Sequence, residues 1–142
     1  MLGTEPAIIE TYVKSGQVVL IFAPVLNHQD RSYQTHQAAE CAADQGRFWE
    51  FHHILFEEQD QMWGGDIPGV VKQLAANIGL NTEDFNACID TQRNYDRVQA
   101  QDQVRQEAGI RGQPVFFINN EVLIGAQPFE VYQGVIESQL AQ

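Results

Sequence analysis

Only Cys41 and Cys88 could supply a nucleophilic sulfur in this chain. A dithiol exchange centre needs a thiolate of lowered pKa at a helix N-terminus and a resolving thiol three positions on, so that a mixed disulfide can form and be released. These two cysteines stand 47 positions apart, and the sequence holds no C-x-x-C. Both fall in stretches that read as helices, where nothing in the sequence lowers a thiol pKa. Their residues leave three readings open: a structural bridge, two free buried thiols, or an unusual redox pair. His28, His36, His52 and His53 form no His-x-x-x-His or related ligand spacing, so no metal site is expected. Asp44 and Glu50 would lie on different faces of a helix and read as solvated charges, not as an acid/base pair. Without a glycine-rich phosphate loop or a Gly-x-Ser-x-Gly elbow, no cofactor is expected either.

The elements that would position these residues follow from periodicity. Glu5 to Lys14 places Ile8, Ile9, Tyr12 and Val13 at helical spacing and ends before Gly16. Gln17 to Ala23 is apolar on both faces and stops at Pro24, which predicts a buried, parallel-type strand. Helices are then expected over Ser32–Gln45, Arg47–Gln59, Pro68–Ile78, Thr82–Asp90 and Thr91–Ala108. Phe48, Trp49 and Phe51 read as core aromatics. Strands return at Val115–Ile118 and Glu121–Ile124 around Asn119-Asn120, a tight hairpin, and Pro128 opens a last amphipathic helix.

Composition narrows the function classes. At 142 residues, 44% hydrophobic, the chain suits one domain over 1–142 with one core. No apolar stretch is long enough for a membrane span. A net charge of −11 repels phosphate backbones and anionic lipid surfaces, so nucleic acid is not an expected partner. Met1 to Pro6 shows neither the basic nor the apolar region of a secretion signal.

The element order, with Ala38-Ala39-Glu40-Cys41-Ala42-Ala43-Asp44-Gln45-Gly46-Arg47-Phe48-Trp49-Glu50-Phe51-His52, with Ile110 to Asn120 and with Leu123 to Pro128, resembles the DsbA-like thiol-disulfide oxidoreductases over nearly the whole chain. The resemblance implies an α/β, thioredoxin-like fold with an all-helical insertion over about 30–108 and a C-terminal ββα unit over about 114–141. It implies a cis proline at Gln113-Pro114, with Gly112, Gln113 and Pro114 forming a loop that faces an extended peptide substrate. Gly112 suits a tight approach to that turn. The resemblance also favours a structural disulfide between Cys41 and Cys88, which would imply an oxidising, extracytoplasmic or periplasmic compartment.

The family's redox motif and first strand would lie ahead of the position matched by Thr4-Glu5-Pro6, so both are expected to be missing. The expected function is therefore a DsbA-like oxidoreductase homologue that is inactive in this chain; the alternative is a non-enzymatic thioredoxin-like module that binds peptides or proteins. A missing central strand would leave unpaired edges beside Val18–Ala23 and Val115–Ile118. Self-association as a homodimer is the favoured outcome, ahead of direct pairing of the two strands or a strand supplied by another protein.

Overall fold

The computed structural model describes residues 3–142. The chain falls into two compact units, one built from residues up to Ala23 together with Gly109–Gln142, the other from Pro24–Ala108.

In the first unit, α1 (Thr4–Ile8) runs on as a π-helical turn over Ile9–Val13. It meets α7 (Phe129–Leu140), where the Tyr12 hydroxyl donates to Glu137 Oε1 at 3.0 Å. The hairpin of β1 (Val115–Ile118) and β2 (Glu121–Ile124) has the predicted limits and pairs Val115 with Ile124 through Ile118 with Glu121. Asn119, at φ 53°, takes the left-handed conformation that a tight turn demands and asparagine tolerates. Ile8, Tyr12, Tyr132 and Ile136 form the core, and Val18, Phe116, Ile118 and Leu123 pack on it.

Gln17–Ala23 differs from the prediction. The segment forms no strand, and the only sheet among the described residues is the two-stranded hairpin. Its side chains alternate as in a strand with one covered face: Val18, Leu20 and Phe22 are half-buried, while Val19 and Ile21 are 84% and 83% exposed. An apolar run on both faces predicts burial on both, but burial needs a neighbouring layer, and the described residues supply one on one side only.

The second unit is helical: α2 (Asp30–Ala43), α3 (Phe48–Glu57), a 3-10 turn (Gln59–Gly64), α4 (Ile67–Asn77), α5 (Thr82–Asp90) and α6 (Tyr95–Glu107). The small side chains of Ala38, Cys41 and Ala42 let other helices approach α2 closely, and they are buried with Phe51, Val71, Leu74, Phe85 and Cys88. Phe51 and Phe85 meet at 5.3 Å between ring centroids. Asp66 and Asn81 cap α4 and α5 by accepting from the N–H of Gly69 and of Asp84 at 3.1 and 3.0 Å. The long helix predicted from Thr91 begins at Tyr95 instead, because Gln92, at φ 51°, turns the chain.

Candidate functional site

Gln113–Pro114 lies between α6 and the hairpin, and its peptide bond is cis. The Pro114 carbonyl accepts from the Gly125 N–H at 2.9 Å, which extends the β1–β2 pairing by one bond and fixes the proline against the hairpin. Arg111, Gly112 and Gln113 are exposed, and the backbone N–H and C=O of Gln113 make no hydrogen bond among the described residues. These groups can therefore pair with an extended chain laid beside them. The tight approach expected at Gly112 is not found: a Cβ there would meet nothing within 4 Å, and its φ is not in the left-handed region.

The cysteines lie elsewhere, in the helical unit. Cys41 on α2 and Cys88 on α5 are joined by a disulfide with Sγ–Sγ 2.00 Å and Cα–Cα 5.9 Å, and both residues are fully buried. Asn94 closes over the bridge. Its side chain is buried, with Nδ2 3.4 Å from Cys88 Sγ, 3.9 Å from Cys41 Sγ and donating to Asp44 Oδ2 at 3.0 Å. Asp44 is exposed, as its place on a helix suggests, but one carboxylate oxygen is engaged by Asn94. It also meets Arg97 at 3.5 Å and Arg93 at 3.8 Å. Glu50 does fit its expected place, half-exposed and paired with Arg47, whose guanidinium holds its carboxyl below the usual range.

A reactive thiolate needs access and nearby positive charge. Burial removes the access, and the carboxylate of Asp44 is close to the sulfurs, with Cys88 Sγ 4.0 Å from its Oδ2. The bond links α2 to α5.

Two polar groups have environments that the sequence does not signal, the buried Asp102 and the half-buried His36. Asp102, in the polar helix α6, accepts from the Leu26 N–H at 3.0 Å, from Arg105 at 2.5 Å and from Gln106 at 2.6 Å. Burial pushes its carboxyl up, but these hydrogen bonds outweigh burial and hold it below the usual range. His36, on α2, is pushed down to about 4, chiefly by burial and also by the nearby His52, against smaller opposing effects of Asp102 and the Val25 backbone. His52 itself is buried in a frame of Phe48, Trp49 and Phe56 rings at 4.9 to 5.7 Å.

His36 is therefore neutral in the folded chain at pH values where the unfolded chain is already protonated. Its contribution to stability is complete above the unfolded pKa of about 6.5 and falls as pH drops toward 4, by roughly 3 kcal/mol across the window. Urea midpoints at pH 7.0 and 4.5 should differ in that direction, and His36→Leu should flatten the difference. A midpoint independent of pH over this range would show that His36 is not held neutral.

No group of three or more His, Cys, Asp or Glu side chains converges as a metal site among the described residues, and no helix there is long and apolar enough to cross a membrane.

Comparison with known proteins agrees with this architecture. The chain is 26% identical over 141 residues to Disulfide bond formation protein D of Bacillus subtilis, covering 95% of this chain and 63% of that protein. It is 26% identical over 139 residues to Na(+)/H(+) antiporter NhaA 3 of Salinispora tropica, covering 96% of this chain but 21% of the antiporter. The chain thus spans less than two thirds of the length of either relative. The crystal structure of oxidised BdbD from Bacillus subtilis superposes with a TM-score of 0.85 at 23% identity, over 96% of this chain and 76% of that one. Residues 2–138 match the family model described as Thioredoxin. With the helical insertion, the hairpin and the terminal helix in their places, the chain belongs to the thioredoxin family, as a member with the DsbA-like fold.

Proposed function

We propose that this chain is a DsbA-like homologue of thiol-disulfide oxidoreductases that holds an extended polypeptide at Gly112, Gln113 and Pro114 and performs no dithiol exchange with its own 142 residues. The observation that carries the reading is the separation of the two features: the loop is exposed, whereas the only cysteines are buried in a disulfide. An exchange centre would require an accessible sulfur beside the peptide-facing backbone. The name of the Bacillus relative supports an ancestry in disulfide formation, and the bridge itself supports an oxidising, extracytoplasmic compartment. The working form is a homodimer.

Binding of an extended peptide should shift the amide resonances of Gly112, Gln113 and Val115. Gln113→Pro, which removes one backbone donor, should weaken the peptide about fivefold, the equivalent of one net hydrogen bond of about 1 kcal/mol. Gln113→Ala keeps the backbone and should bind as the parent does. Equal loss in both variants would assign the contact to the glutamine side chain, and shifts confined to other residues would place the peptide elsewhere.

A further inference from the structure

Within the unit that carries the hairpin, the extended segment and the two strands lie on one helical layer. Val18, Phe116, Ile118 and Leu123 all pack on Ile8, Tyr12, Tyr132 and Ile136 of α1, its π-helical continuation and α7. Side chains of extended backbone alternate between faces, so the neighbours of these residues point away from the helices. They are apolar and bare: Val19 84%, Ile21 83%, Phe117 59%, Val122 48% and Ile124 74% exposed. None of them carries charge, in a chain of net charge −11. The backbone of Val19, Leu20 and Ile21 makes no hydrogen bond among the described residues, so the layer is not closed by pairing there.

We propose that this face is the homodimer interface: a second copy lays its own Val19, Ile21, Phe117, Val122 and Ile124 against it about a two-fold axis, giving a helix–sheet–sheet–helix sandwich. The inference rests on the dimeric reading above and adds the surface. A two-fold contact uses the same patch on both copies, which suits an uncharged, wholly apolar face that would otherwise be a liability in water. The area is sufficient. Covering the five side chains removes roughly 600 Å² per copy from water, about 1,200 Å² in all, which reaches the range of specific interfaces. Two bare apolar layers meet best face to face, at the separation of about 10 Å usual for packed sheets.

Sedimentation equilibrium of the full chain from 1 to 100 µM, with hydroxyl-radical footprinting of Phe117 across the same range, tests the proposal. The expected result is a dimer in which Phe117 labelling falls several-fold as dimer forms. Ile124→Lys and Ile21→Lys, at positions exposed in the single chain, should each raise the dissociation constant at least tenfold while leaving the far-ultraviolet circular dichroism unchanged. A dimer that survives both substitutions with Phe117 still labelled would overturn this surface but keep the dimeric reading. A monomer throughout would overturn both, as would a monomer whose Phe117 becomes protected only when a foreign extended peptide is added.

Discussion

Replacing both Cys41 and Cys88 by alanine should lower the stability of the chain by about 4 kcal/mol or more, that figure being what loop closure over this span predicts. The bridge ties α2 to α5 across 47 positions. Cutting it releases a long loop in the unfolded chain and so favours unfolding. In the folded chain the loss is compounded, because both cysteines are fully buried among Ala38, Phe51 and Phe85, and alanine leaves small voids where the sulfurs stood. Asn94 would also lose the two sulfurs it lies against and keep Asp44 as its side-chain partner. Urea titration of the oxidised parent and the double variant should show a large drop in midpoint, and the buried bridge of the parent should resist reductant until the chain unfolds. Equal midpoints would show that the bridge fastens nothing.

Asp102→Ala should cost about 3–5 kcal/mol, the usual effect of removing one member of a buried ion pair. The carboxylate is held among the Leu26 N–H, Arg105 and Gln106, and its Arg105 partner is itself only 12% exposed. Alanine would strand a backbone donor and a guanidinium in a site that water reaches poorly. The effect should be visible locally. The Leu26 amide should exchange with solvent far faster in the variant, whereas Asp102→Asn, which still offers a carbonyl oxygen to that amide, should retain part of the protection. Unchanged exchange at Leu26 in the alanine variant would contradict this account of the segment ahead of α2.

The sequence makes the local elements and the family plain because both rest on short-range patterns. The limits of β1 and β2 follow from the turn residues Asn119 and Asn120, each acting within a few positions, and α5 keeps its expected span although its cap is Asn81. The aromatic and alanine-rich run from Ala38 to His52 marks the helical unit, whose core it supplies. What escapes a reading of the chain depends on long-range partners. Gln17–Ala23 has the composition of a buried strand, yet its exposure is decided by which layers are present. Asp102 sits in a helix so polar that one buried carboxylate cannot be told from its solvated neighbours. Asn94 reads as one more polar residue of the helix expected from Thr91, and only the fold brings it to the disulfide. The loop at Pro114 lies between these cases: its place is legible from the resemblance, whereas the freedom of the Gln113 backbone and the open space at Gly112 are properties of the folded chain.

The proposed separation of a peptide-binding loop from a buried disulfide that takes no part in exchange is tested most directly by a dithiol-exchange assay on the intact chain, such as reduction of insulin by dithiothreitol, run beside a thiol count in denaturant without reductant. The account predicts no acceleration over the uncatalysed reaction and no free thiols. Measurable exchange that disappears in Cys88→Ser, or free thiols in the protein as isolated, would contradict it.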